Sequence, residues 1–141
     1  MNKKTEYQIS SSVNDGILEI VLTGELVDSA HDKFSNEIIA ITETKGVKDV
    51  LVDIRAFKWH LGIIEIYERV RNYPPHMYKL NFAIVDIMEN ADFQSFHEVT
   101  AVNAGMSLKW FNNIDSARVW LKNKHLPFLH YLNKRNFLSE K

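Results

Sequence analysis

A short apolar run in the middle of the chain constrains the fold more than any other feature. Val50, Leu51 and Val52 lie within a segment with polar ends, residues 48–55, and two of the three are β-branched. An uninterrupted run of this kind is typical of a strand that is covered on both faces. A similar run, residues 82–87, follows about thirty residues later, after a helical pattern. This spacing predicts a β-α-β crossover between parallel strands at the centre of a sheet.

An antiparallel hairpin is predicted at the start of the fold. Two strand-like segments, residues 7–10 and 17–22, flank a polar stretch that contains Asn14, Asp15 and Gly16. Residues of these three types tolerate positive φ, which tight hairpin turns require. An antiparallel hairpin should therefore open the fold.

Four helical patterns follow, each with an apolar stripe on one face. The first runs from Asp28 or Ser29 to about Lys45, and the second opens at Gly62. A short strand, residues 107–111, precedes the last helix. The residues expected to face the core are Phe34, Ile38, Ile41, Ile63, Ile66, Tyr67, Val70, Phe93, Phe96, Val99, Val102, Ile114, Ala117, Trp120 and Leu121.

The resulting order of elements is β-β-α-β-α-β-α-β-α. It predicts an α/β fold with a mixed five-stranded sheet, in which an N-terminal antiparallel hairpin is followed by β-α-β crossovers. Four main helices and a C-terminal helical tail complete the chain. We expect one domain at residues 1–124 and an apolar extension at residues 125–141, which packs on its own domain or on a partner subunit. A peripheral membrane contact is the alternative for this extension.

Composition excludes several classes of protein. The 141 residues are 45% hydrophobic, which suits one domain with a substantial core, and the formal net charge is −1, which disfavours nucleic acid as a partner. The sequence contains no cysteine and no apolar run near the roughly 20 residues that span a bilayer. The N-terminus lacks the apolar stretch of a signal peptide. We therefore expect a cytoplasmic, bacterial-type protein without a transmembrane segment.

The segment after the central strand, residues 55–62, is unusually rich in cations and aromatic rings. Cations beside aromatic rings can hold an anionic headgroup over an apolar slot. Alternatively, the rings fill the core under a long loop and the cations are solvated. The candidate ligand- or partner-binding residues are Arg55, Lys58, Trp59 and His60, with Tyr67 and Arg71 from the next helix.

No catalytic or metal-binding motif is present in the sequence. The six histidines lack the short spacing that zinc sites use, and the five isolated glycines form no phosphate-binding loop. Asp53 and Asp86 end two predicted parallel strands at the edge where α/β folds bind ligands, but such carboxylates more often accept hydrogen bonds from loop amides. We therefore assign no catalytic residue, no metal and no cofactor. An unknown activity at this edge is the exception left open.

Three segments carry a resemblance to a known family. They are residues 17–24, residues 50–53 and, above all, residues 102–121, where a final strand supplies Trp110 and the last helix ends in Trp120 and Leu121. This pattern resembles the STAS-like superfamily, and within it the SpoIIAA-like branch, which shares its fold with the lipid-binding CRAL-TRIO domains. Anti-sigma-factor antagonists of this superfamily are phosphorylated on a serine or threonine where the helix after the central strand begins.

The matching segment here, residues 55–62, contains neither serine nor threonine. The resemblance therefore implies a domain for protein contacts or small apolar ligands without that switch. Two functions follow as hypotheses. One is a non-enzymatic STAS-like regulatory module that binds a protein partner or a second copy of itself, and the other is a carrier or sensor of a small, anionic, lipid-like ligand.

Overall fold

The strand predicted around Val50–Val52 lies at the centre of the sheet. The computed structural model describes residues 7–44, 46–59 and 63–125. Its five strands follow one another in space as they do in sequence, with the first pair antiparallel and the others parallel. The strands are β1 (Gln8–Asn14), β2 (Ile17–Leu26), β3 (Asp49–Trp59), β4 (Asn81–Val85) and β5 (Ser107–Phe111).

The four predicted helices are also present. They are α1 (His31–Thr42), α2 (Ile63–Arg71), α3 (Ala91–Asn103) and α4 (Ile114–Asn123), and short 3₁₀ turns at Asp28–Ala30, Pro75–Lys79 and Met88–Asn90 precede α1, β4 and α3. The α/β fold and the mixed five-stranded sheet are confirmed. The predicted extension, residues 126–141, lies outside the described residues, as do residues 60–62.

The N-terminal hairpin is tighter than predicted. β1 continues to Asn14, so that only Asp15 and Gly16 form the turn, with φ values of 53° and 79°. Positive φ at both central positions is the geometry that matches the twist of a two-residue hairpin. The polar residues before the turn therefore belong to the strand.

The prediction of a loop from residue 55 was wrong for residues 55–59, which continue β3. These residues pair with β2 up to the Leu26–Trp59 pair, whereas the pairing of β3 with β4 ends at Asp53–Val85. The register between β2 and β3 shifts after Val21. β2 is long enough to pair with β3 beyond the end of β4.

The helices cover the two faces of the sheet unequally. α1, α2 and α3 pack on one face, where β2, β3 and β4 contribute Ile20, Val52 and Ile84 to the larger core. On the other face α4 places Ala117 and Leu121 against a smaller core. The Asn113 side chain accepts a hydrogen bond from the Ser116 amide at 2.9 Å and caps α4.

The prediction for α3 holds for Phe93 and Phe96, which are partly buried and pack against the larger core, and was wrong for Val99 and Val102. Val99 and Val102 are half-exposed, whereas Gln94, His97 and Ala101 are buried. Gln94 donates to the Ile87 carbonyl at 2.7 Å, a bond that favours the observed face over the apolar stripe. None of the helices in the described part of the chain has both the length and the apolar character needed to cross a bilayer.

Candidate functional site

The end of β3 places the predicted site residues on opposite faces of the sheet. Phe57 packs in the larger core and Trp59 packs against it. Because side chains alternate along a strand, Lys58 points to the other face, and it is exposed. Arg55 lies on that other face too, where it binds Asp53. The strand therefore separates the two cations from the aromatic rings with which the sequence suggested they would act.

Arg55 is held by a neighbouring carboxylate. Its Nε donates to Asp53 Oδ1 at 2.9 Å, its Nη2 donates to Oδ2 at 2.8 Å, and its backbone amide donates to Oδ1 at 3.1 Å. The hydrogen bonds from Arg55 lower the pKa of the Asp53 carboxyl below its ordinary value. Much of the hydrogen-bonding capacity of Arg55 is thus already used within β3.

Trp59 belongs to a cluster of aromatic rings between the sheet and the helices. Its ring centroid lies 6.0 Å from that of Phe57, 5.7 Å from that of Phe93 and 5.9 Å from that of His97. His97 in turn lies 5.5 Å from Trp110. This arrangement agrees with the alternative in which the rings of residues 55–62 fill the core.

α2 presents a different surface. Tyr67 is 48% exposed, and the Arg71 guanidinium carbon lies 4.4 Å from the centroid of its ring. Ile64, in the first turn of the same helix, is 73% exposed. Tyr67 was expected to face the core, but Ile66 and Val70 occupy that position instead. His60, the sixth candidate, lies outside the described residues.

Two adjoining cavities lie between the helices and the sheet. The larger has a volume of about 100 Å³ and the smaller about 60 Å³. Both lie mainly among apolar side chains of α1, the sheet and the segment before β4. The residues that line both cavities are Phe34, Ile38, Trp59, Tyr73, Met77 and His97.

A few polar groups also line these cavities. Arg69 and Ser35 line the smaller cavity, and Arg69 Nη1 donates to Ser35 Oγ at 2.7 Å. Trp110 lines the larger cavity. In the described part of the chain, His97 Nδ1 and Trp110 Nε1 are buried without a hydrogen-bond partner. An apolar cavity with a few convergent polar groups is the usual form of a small-molecule site.

The sequence patterns around these polar groups are weak signals of a binding site. Arg69 follows Glu65 and Glu68 in an alternating charge pattern, which is typical of a solvated helix face. His97 lies at an ordinary spacing in a helix that also carries an apolar stripe. Only the packing of α1, α2 and α3 on one face of the sheet brings Arg69 and His97 to the smaller cavity.

The carboxylates at the carboxyl ends of β3 and β4 are each hydrogen-bonded to neighbouring groups. Asp86 is buried, and its carboxylate accepts hydrogen bonds from the Ile87 amide at 2.7 Å and from Asn90 Nδ2 at 3.0 Å to each oxygen. Asp53 is bound to Arg55. Both carboxylates therefore stabilise their own backbone segments. This agrees with the prediction that they accept hydrogen bonds from nearby amides.

Histidines take part in separate local contacts. Thr42 Oγ1 lies 3.0 Å from His76 Nε2 and 3.2 Å from Met77 Sδ. His125, just after α4, pairs with Asp49 at the start of β3. Within residues 7–44, 46–59 and 63–125 no three histidine or acidic side chains are grouped as a metal ion would require.

Comparison with known proteins supports the fold. An anti-sigma factor antagonist from Mycobacterium paratuberculosis superposes with a TM-score of 0.56 at 13% identity, covering 83% of this chain and 95% of that one. An uncharacterised protein of the DUF3478 family with a SpoIIAA-like fold, from Shewanella loihica PV-4, has a TM-score of 0.55 at 16% identity and covers 86% and 98%. No protein-family model and no curated protein matches the sequence.

The parallel sheet with one antiparallel edge, three helices on one face and one on the other is thus an α/β fold that this chain shares with these two proteins, one of which has a SpoIIAA-like fold. At these identities the likeness defines the architecture, and the function has to be argued from the surface and the cavities.

Proposed function

We propose that this protein is a non-enzymatic STAS-like regulatory module that binds another protein through the exposed face of α2. The observation that carries the proposal is the exposure of Ile64, which is 73% exposed in the first turn of the helix after the central strand. In the family that the sequence resembles, the regulatory serine or threonine lies where this helix begins, and the matching segment here, residues 55–62, ends two residues before Ile64. An exposed apolar side chain beside that segment suits contact with a partner protein.

The neighbouring side chains support the same surface. Ile64, Tyr67 and Arg71 are spaced i, i+3 and i+7, which places them on one face of α2. Tyrosine and arginine are enriched among the residues that dominate binding energy at protein interfaces. The stacking of Arg71 on Tyr67 orients both before a partner arrives. One structural neighbour is an anti-sigma factor antagonist, a name that gives a protein, an anti-sigma factor, as its target.

The proposal includes no catalytic step and no phosphorylation at residues 55–62. Those residues contain no side-chain hydroxyl that a kinase could phosphorylate, since neither serine nor threonine occurs among them. The Asp53 and Asp86 carboxylates are held by Arg55 and by the turn after β4. A cytoplasmic location is part of the proposal, and the lack of cysteine is consistent with it.

A charge placed at Ile64 tests this surface. Ile64→Glu should weaken binding of a partner, or of a second copy, by roughly tenfold or more, because an interface core excludes an unpaired carboxylate. Val119→Glu is the matched control, since Val119 is 57% exposed on α4, on the opposite face of the sheet. Quantitative affinity capture would compare partner binding, and sedimentation velocity would compare self-association.

Loss of binding in Val119→Glu with full retention in Ile64→Glu would place the interface elsewhere. A third variant without residues 126–141 tests the C-terminal extension separately. We propose that this extension packs on the domain or on a second copy, so its removal should alter self-association. His125 is kept in this variant because it pairs with Asp49.

The cavities favour a second candidate function, a carrier or sensor of a small amphipathic ligand. The supporting observation is the adjoining pair of cavities behind α1 and α2, with two buried polar atoms that have no partner in the described residues. Native mass spectrometry of gently purified protein would show a co-purifying ligand as added mass. A ligand-free chain that also fails to bind added small molecules would argue against this second function.

A further inference from the structure

We propose that the cavities between α1, α2, α3 and the sheet bind a small monocarboxylic acid whose apolar part is about the size of one aromatic ring. The inference depends on the second function proposed above and specifies its ligand. It places the carboxylate at Arg69 and the apolar part among the rings beneath α3.

The volume of the cavities limits the size of the ligand. The two cavities, of about 100 Å³ and about 60 Å³, adjoin each other and share six lining residues. A cavity of roughly 150 Å³ in another protein admits benzene, so the two together suit a ligand with one ring or a short alkyl chain. A long-chain fatty acid needs several times this volume.

The walls favour a flat, apolar ligand. Phe34 stacks on Phe57 with their ring centroids 5.4 Å apart, and Trp59 lies edge-on to Phe93 at 5.7 Å. Phe34 and Trp59 both line the two cavities. A ligand ring would extend this network with the offset and edge-on geometries that aromatic pairs prefer.

Two buried polar atoms favour a ligand with oxygen atoms. His97 is 7% exposed and Trp110 is 8% exposed, and in the described part of the chain His97 Nδ1 and Trp110 Nε1 have no partner. A buried polar atom without a partner is costly, and a polar group on a ligand would remove that cost. His97 lines both cavities, so its Nδ1 can donate, in the tautomer that carries the proton there, to a carboxylate held at Arg69. Trp110 lines only the larger cavity, where its ring faces the apolar part of the ligand.

Arg69 provides the positive charge for a carboxylate. Its guanidinium lines the smaller cavity and donates one hydrogen bond to Ser35 at 2.7 Å. The carboxylate of Asp32 lies 4.0 Å away, but its side chain is fully exposed, so it compensates the charge weakly. A guanidinium has five N–H donors in a planar fork, which leaves donors for a carboxylate. Burial keeps His97 neutral, so the anion is expected at Arg69.

Three probes of graded chemistry test the proposal by calorimetry on the full chain. Benzoate has the proposed size and charge, benzyl alcohol has the size without the charge, and palmitate exceeds the volume. We expect benzoate to bind and Arg69→Gln to weaken it by roughly tenfold, the usual effect of losing a charge-assisted hydrogen bond. Benzyl alcohol should bind wild type and variant alike, which also shows that the variant is folded.

Arg71→Gln is the matched control. Arg71 lies two residues further along α2 and stacks on the exposed Tyr67, so its loss should leave benzoate binding unchanged. Equal binding of benzoate to Arg69→Gln and wild type would overturn the assignment of Arg69. If Arg69→Gln does not fold, benzoate must shift the Trp59 and Trp110 indole N–H resonances of the wild-type protein, and shifts confined to other residues would overturn the site.

The probes also separate this proposal from the carrier function on which it depends. Tight binding of palmitate with no binding of benzoate would refute the size and leave the carrier function in place. Binding of benzyl alcohol but not benzoate would refute the charge and leave the carrier function in place. No binding of any probe, with no co-purifying mass, would refute both.

Discussion

The imidazole of His97, on α3, lies against the indole of Trp110, on β5, with ring centroids 5.5 Å apart and planes inclined by 58°. The pair fixes α3 to the last strand together with Glu98, whose Oε1 accepts a hydrogen bond from the Trp110 amide at 2.9 Å. Burial of His97 lowers its pKa from 6.5 to about 4. The packing of α3 on the sheet therefore requires an uncharged imidazole at neutral pH.

This burial predicts an acid-sensitive fold. In the unfolded chain His97 takes up a proton as the pH falls below about 6.5, whereas in the folded chain it does so only near pH 4. The free energy of unfolding should therefore decrease between these values, by up to about 1.4 kcal/mol per pH unit, and this contribution should level off below them. Urea unfolding of wild type and His97→Phe across this range would measure this pH dependence, which the variant should lack. The same pH dependence in both proteins would mean that His97 is already charged in the folded state.

Two nearby positions on α4 differ sharply in burial. Leu121 is fully buried against the sheet, and Val119 is exposed on the other side of the same helix. Leu121→Ala should destabilise the protein by about 2–5 kcal/mol, because it removes buried methyl groups and leaves a cavity. Val119→Ala should change stability by less than about 0.5 kcal/mol. Chemical denaturation of both variants checks this, and similar values for the two would mean that α4 is packed differently.

An ion pair joins α4 to β2 across 99 residues of sequence. Arg118 Nε donates to Glu19 Oε2 at 2.9 Å and Nη2 donates to Oε1 at 3.0 Å. The arginine side chain is 40% exposed, so a double-mutant cycle with Glu19→Gln and Arg118→Met should give a coupling of about 0.5–1 kcal/mol. The coupling should fall in roughly 1 M salt, where charges are screened over about 3 Å. A coupling unchanged by salt would contradict an electrostatic origin.

The sheet could be predicted because its signal is local. The runs around Val50–Val52 and residues 82–87, and the turn at Asp15–Gly16, depend on neighbours in the chain, and the structure confirms all three. The length of β3 could not be read in the same way. Its last residues, Arg55 to Trp59, are strand because β2 continues beside them, which is a property of the partner strand.

The candidate site was harder to predict for a related reason. Proximity along the sequence placed Arg55 and Lys58 with Trp59, but alternation along β3 sends Lys58 to the face opposite Trp59. Arg55 also lies opposite Trp59, because the register shift between Asp53 and Ala56 adds one residue to β3 and reverses the alternation. The cation that does line a cavity, Arg69, comes from α2, and its distance in sequence from His97 on α3 hides the fact that the two line the same cavity. Whether the predicted residues bind a ligand or a partner stays a prediction.

The pairing of Arg55 with Asp53 gives a last prediction about this surface. Because the Arg55 hydrogen bonds are the largest cause of the lowered pKa of Asp53, Arg55→Ala should raise that pKa toward the ordinary value of 3.8. Because its folded-state pKa is lowered, ionised Asp53 stabilises the fold at pH values above its ordinary pKa. This contribution is lost as the pH falls through the folded-state pKa. A titration of the Asp53 carboxyl carbon by NMR would follow the change, with Lys58→Ala as the control because Lys58 is an exposed cation further along the same strand. If Lys58→Ala moved the pKa as far as Arg55→Ala, the effect would come from general charge near β3, and Arg55 would be available to bind an anion.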